Sequence, residues 1–158
     1  MHSILPPLSH ILLPDPSINS YYVVQSVNMV RYLGFHTNRK LDWSTHINIM
    51  CNRACASLEA LQLLGNSVRR LSAANWRLVY NALCLPVLTY GCQLWFTGQQ
   101  KTLVKKLQAV QNEGVKIIAG AFHTALRDAL HEHLRIFSMH ICLTMLTKTS
   151  ALRLYRLP

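Results

Sequence analysis

Acidic side chains are scarce in this sequence. Asp15, Asp42, Glu59, Glu113, Asp128 and Glu132 make up the whole set, and no two are adjacent. Two-metal phosphoryl transfer needs several carboxylates converging on a pair of cations, so the chain has no recognisable ligand set for it. Asp42 reads as a turn or pre-helix residue, Asp128 and Glu132 as an i, i+4 pair on a helix face, and Glu59 and Glu113 as solvated helix positions. Cysteine frameworks are missing too. Cys51 and Cys55 lie one helical turn apart, but no second Cys or His pair follows at finger-like spacing, and Cys84, Cys92 and Cys142 stand alone. Buried free thiols in a reducing compartment are expected. There is no Ser-His-Asp or Cys-His arrangement and no Gly-rich phosphate loop, so neither enzymatic activity, a small-molecule substrate nor a cofactor is indicated. Metal binding is not indicated either: His131 and His133 are two apart, which points them to different sides of a helix. Long apolar runs are also absent. The stretch Ala82–Leu88 is far short of the ~20 residues that cross a bilayer. The segment Met1–Pro16 has no Lys or Arg to begin a signal peptide. An intracellular protein, nuclear or cytoplasmic and without a membrane partner, is the expectation.

Basic and apolar residues are what the chain does have. Lys and Arg number 16 against 6 acids, a net charge of +10, and 51% of its 158 residues are hydrophobic. That is enough apolar material for one core, and such a charge excess attracts polyanions, nucleic acid being the commonest. Charge alone also fits mere solubility.

The pattern predicts a mainly α protein: a helical bundle of about five helices with a small N-terminal β-hairpin. Residues 1–19, broken by Pro6, Pro7, Pro14 and Pro16, form an irregular leader. Residues 20–37 form the hairpin, with 21–24 paired to 30–35 across a short polar stretch. Residues 38–158 form the bundle. Within it Ile47, Cys51, Ala54, Leu58, Leu61 and Leu64 mark a helix from Ser44 to Leu64 that ends at Gly65-Asn66. A second starts behind Ser72, with Trp76, Val79, Leu83 and Val87 on one face, and is bent or ended by Pro86. A third spans Gln99–Ala119, with Leu103, Leu107, Val110, Ile117 and Ala121 in the core stripe. A short helix capped by Thr124 runs to Leu134, and a last one runs from Ser138 to Tyr155. Trp43, Trp76 and Trp95 lie among apolar positions and read as core anchors.

Several blocks occur in an order that carries further meaning: Arg31-Tyr32-Leu33-Gly34-Phe35-His36, Leu41-Asp42-Trp43, Leu85–Gly91 with Trp95, Leu107–Asn112, Ile117–Phe122 and Ala151–Pro158. Over roughly residues 20–158 this set resembles the region just after the catalytic palm in non-LTR (LINE-type) retrotransposon reverse transcriptases, those of fungi in particular. These enzymes hold metal ions with palm aspartates, one pair in a Tyr-x-Asp-Asp turn. No such pair is present here, so the resemblance is to a non-catalytic part of an RNA-directed DNA polymerase, as a degraded or truncated element would carry. It implies that residues 20–37 correspond to the hairpin closing the palm, with Arg31, Tyr32, Leu33 and Gly34 near the primer backbone. The bland alternative is an ordinary hairpin. It implies also that the bundle is thumb-like and lies along an RNA/DNA duplex or template-primer. Lys101, Lys105, Lys106 and Lys116, interleaved with Gln108 and Asn112 and without compensating acids, then form the phosphate-binding face. Arg69, Arg70 and Arg77 form a lesser cluster around the start of the second helix. The competing reading of those lysines is a solvated helix face. Two other functions stay open: a helical interaction module that docks a partner such as a reverse transcriptase palm, or a remnant with no selected function.

Overall fold

The computed structural model describes residues 11–15, 20–24, 27–65, 72–122 and 124–157. These fall into two compact units, residues 1–42 and residues 43–158.

The first unit contains two separate ribbons. Strand β1 (Ile11–Asp15) pairs antiparallel with β2 (Ser20–Val24), and β3 (Met29–Tyr32) pairs antiparallel with β4 (Phe35–Asn38). The expected partnership of 21–24 with 30–35 is therefore replaced by two local ones, and part of the supposed irregular leader is strand. The cause lies in the turn. Leu33 and Gly34 both have positive φ, 47° and 82°, which is the requirement of a tight two-residue hairpin turn whose twist matches the strands. It folds Tyr32 directly back onto Phe35. Glycine meets that requirement freely, while a leucine there is strained by about 1–2 kcal/mol. Pro14 sits opposite Tyr21 in a two-stranded ribbon, where every strand has a free edge on which a missing donor can be tolerated. The unit closes on an Asx turn, with Asn38 Oδ1 accepting from the backbone N–H groups of Lys40 (3.1 Å) and Asp42 (3.2 Å).

The regular elements among the described residues of the second unit are helices: α1 (Ser44–Gly65), α2 (Ala73–Leu88), the single turn α3 (Cys92–Trp95), α4 (Lys101–Ala119), α5 (Arg127–His133) and α6 (Met139–Tyr155). Helix α4 is the hub and packs against α1, α2, α5 and α6. Ile47, Ala54, Leu58 and Leu61 of α1 are buried as their spacing predicts, and Cys51 is half-buried. On α2 the buried stripe is Tyr80, Cys84 and Leu88, rotated by one position from the predicted one. Trp76, Val79 and Val87 are half-buried and Leu83 is exposed. Ser72 caps α2 as expected, its side chain accepting from Asn75 N at 3.3 Å. Pro86 does not stop the helix at once. It lies in the last turn, and the end comes at Thr89, whose N–H and Oγ1 both donate to the Leu85 carbonyl, at 3.0 and 2.9 Å. Gly91 then takes a left-handed φ of 61° and starts the turn that buries Trp95, whose Nε1 donates to the Tyr90 carbonyl at 3.1 Å.

Helix α4 buries Leu103, Leu107, Val110, Gln111, Gly114, Val115 and Ile118, while Ile117 and Ala121 are only half-buried. Gly114 has a packing reason to be there: a Cβ on it would stand 2.8 Å from Tyr80 Cε2. The absent side chain lets α2 and α4 approach closely and offsets glycine's poor helix propensity. Gly120, at φ 59°, ends the helix with Gly120 N donating to Ile117 O and Ala121 N to Lys116 O. Helix α5 is capped at Leu126 rather than at Thr124.

Candidate nucleic-acid interface

The cations picked out by sequence do not share one environment. Lys101 and Lys105 are one turn apart on α4 and exposed. Lys106 is exposed too, but a hundred degrees round the helix from Lys105, where its Nζ donates to Asn48 Oδ1 of α1 at 2.9 Å. Lys116 is different. Its side chain is 13% exposed and pairs with Glu113 at 2.7 Å, so the expectation of a stripe without compensating acids does not hold at its C-terminal end. Arg77 is half-buried and its Nη1 donates to the Leu134 carbonyl at 3.2 Å, joining α2 to the end of α5. Arg69 and Arg70 lie outside the described residues. Arg31, Tyr32, Leu33 and Gly34 occupy β3 and its turn, with Tyr32 69% and Leu33 71% exposed.

The amides between those lysines face inward. Gln108 Oε1 accepts from the backbone N–H of Met139 at 2.8 Å, and that fixes its amide so that Nε2 donates to Asn112 Oδ1, also at 2.8 Å. His131 reaches Asn112 Oδ1 through Nε2 (2.9 Å) and the Ile136 carbonyl through Nδ1 (3.1 Å). Gln111, fully buried, donates to the Phe137 carbonyl at 3.0 Å. Three polar residues of α4 thus hold the segment from α5 to the start of α6. The periodicity that made Gln108 and Asn112 look like phosphate contacts cannot tell solvent from a packed neighbour.

Between α4 and α5 this leaves a cleft. One part, about 280 Å³, is lined by Lys105, Gln108, Ala109, Asn112, Glu113 and Arg127. An adjoining part of about 480 Å³ shares Gln108, Asn112 and Arg127 and extends past Asp128 and His131. Arg127, exposed at the start of α5, is the cation that the sequence reading missed. It is placed beside Lys105 by the loop after Gly120, and no periodicity spans that loop.

The thiols offer no nucleophile. Burial raises the pKa of Cys51, Cys55, Cys92 and Cys142 above the ordinary thiol value and pushes Cys84 up to about 11, so each stays protonated and unreactive near neutrality. All five are free. Burial likewise raises the Tyr80 hydroxyl well above its usual range, with the Gln111 amide as the polar group beside it. Among the described residues no group of three His, Cys, Asp or Glu is placed to hold a metal ion. No described helix is long and apolar enough to cross a membrane.

No family model and no solved structure matches the chain. It is 28% identical, over 123 residues, to the probable RNA-directed DNA polymerase from transposon X-element of Drosophila melanogaster. The alignment covers 78% of this chain but 13% of that protein. In sequence, then, this mainly helical chain is similar to a short stretch of a retrotransposon RNA-directed DNA polymerase.

Proposed function

We propose that the chain is the post-palm, thumb-like part of a non-LTR reverse transcriptase and that it holds a template-primer duplex without reading its sequence. The observation that carries this reading is the pair Lys101 and Lys105, exposed one turn apart on the helix that organises the bundle, within a chain of net charge +10. Arg127 extends the pair across the cleft. Cations spaced along one helix suit phosphates, which position a protein on a duplex but carry no base information. In an A-form-like heteroduplex the major groove is too deep and narrow for side chains, which leaves phosphates and minor-groove sugar hydroxyls as the main contacts. The similarity to an RNA-directed DNA polymerase supplies the class of ligand. Lys106 and Lys116 are secondary on this reading, one engaged with Asn48 and the other with Glu113.

Catalysis is no part of the proposal. The scattered acids give no converging carboxylates, and primer extension with Mg²⁺ or Mn²⁺ should stay at the buffer blank. The test of binding is a salt titration with a blunt RNA–DNA heteroduplex. Affinity should fall linearly on a log–log plot, by roughly 0.9 per phosphate contacted, and should not change when the heteroduplex sequence is scrambled. Affinity that ignores salt, or that depends on sequence, removes the reading.

A further inference from the structure

Helix α6 is apolar on two opposite sides, and only one of them is covered. Its inner side carries Met139 and Leu143, both fully buried, and Ser150, whose Oγ accepts from Gln93 Nε2 of α3 at 3.1 Å. On the outer side Ile141, Met145, Lys148, Leu152 and Tyr155 follow one another at intervals of four, three, four and three. That is the spacing of a coiled-coil seam. All five are exposed, Ile141 at 45%, Met145 at 57%, Leu152 at 60% and Tyr155 at 90%. A helix that is apolar all round is normally buried all round, and two turns of paired large side chains are more than the single exposed residues a surface ordinarily shows.

Charge says what the occupant is. Lys148 lies in the middle of the seam, Arg156 flanks its C-terminal end, and residues 139–157 contain no Asp or Glu. A second copy is a poor fit. In a parallel pairing Lys148 would meet its own copy and in an antiparallel one the apolar seam residues, so a second copy offers it no carboxylate in either orientation. Nucleic acid is a poor fit for the reverse reason, because phosphates gain nothing from four apolar side chains. We infer that the outer face of α6 docks an amphipathic helix with acidic flanks, which presents apolar side chains to Ile141, Met145, Leu152 and Tyr155 and a carboxylate to Lys148. A single charge at a core position of this kind sets register and partner choice at some cost in affinity. The inference does not depend on duplex binding, which uses α4.

The test uses the full chain and a synthetic helical peptide of about three heptads, with leucine at its seam positions, one seam glutamate and glutamates on its flanks. A second peptide has every glutamate replaced by lysine. By fluorescence anisotropy the acidic peptide should bind at least ~10-fold more tightly than the basic one. Lys148→Glu should reverse the order without moving the melting temperature, and Leu152→Asp should abolish binding of both. Equal binding of the two peptides would overturn the inference, by making the face merely adhesive. So would a dimer of the chain alone that Lys148→Leu strengthens and Leu152→Asp breaks, since a second copy would then be the occupant. Displacement of the acidic peptide by RNA–DNA heteroduplex would overturn it in favour of nucleic acid. Binding to anionic vesicles that Leu152→Asp removes would do the same in favour of a lipid surface.

Discussion

Helices α4 and α6 are almost the same length, 19 and 17 residues, yet the chain accounts for one of them and not for the other. The sides of α4 turned away from Lys101 and Lys105 meet apolar neighbours from α1, α2 and α6 and, through amide contacts, the segment after α5; Lys106 reaches Asn48, and Thr102, Ala109 and Glu113 are exposed beside the lysines. Helix α6 is covered on its inner side only as far as Ser150, and none of residues 151–157 is buried. A surface left open among the described residues is where a partner's chemistry can be read. On α4 what remains open is charge; on α6 it is an apolar seam.

The contrast is broken most forcefully by a charge at matched positions. Leu107→Asp places an unpaired carboxylate in the core and should cost at least about 4 kcal/mol, enough to unfold the bundle. Leu152→Asp should stay within about 0.5 kcal/mol in urea titrations. Similar losses for both would mean that α6 is covered after all.

The covered core has a pH signature of up to about 3 kcal/mol. Burial pushes the Cys84 thiol, in the core that α4 completes, up to about 11 from an ordinary value of 9.0. Its neutral form is the one the fold favours, so this contribution is intact below pH 9. It declines as the unfolded chain ionises between pH 9 and 11, two units at about 1.4 kcal/mol each being the ceiling. Melting temperatures of wild type and Cys84→Ala should therefore converge over that interval; a constant gap would refute the assignment.

Smaller effects sharpen the same comparison. Gln108→Leu strands the Met139 N–H and removes the donor to Asn112, for about 2 kcal/mol. Hydrogen exchange at Met139 should accelerate, and unaltered exchange would mean that the amide contact does not hold α6. Gly114→Ala gains roughly 1 kcal/mol in helix propensity but meets Tyr80 at 2.8 Å, and overpacking of 1–3 kcal/mol should win, for a net loss of about 1 kcal/mol. A variant that melts higher than wild type would show that α2 yields at this contact.

Much of the helical unit was legible because its signals are local. Ser72 capping α2 and the stripes Ile47–Leu61 and Leu103–Val110 all depend on neighbours within a turn or two. What escaped depends on contacts between elements. Strand pairing followed the Leu33-Gly34 turn rather than strand composition. The buried side of α2 shifted to Tyr80, Cys84 and Leu88 because α4 carries Gly114 opposite Tyr80. Lysines at equal spacing read alike in sequence, yet Glu113 neutralises Lys116 while Lys101 and Lys105 stay open. Gln108 and Asn112 looked solvated and are instead joined to His131 and Met139 across a loop.

The measurement that bears most directly on the account is the salt dependence of heteroduplex affinity in two variants. Replacing Lys101 and Lys105 together by Ala should flatten the slope of log affinity against log salt by roughly two units, at ~0.9 per phosphate contact, with the melting temperature unchanged. Lys116→Ala should leave the slope nearly intact, because Glu113 already holds that charge. A double variant that binds with the wild-type slope, or a Lys116 variant that loses as much as the double, would contradict the assignment of the open arc of α4 as the duplex-binding face.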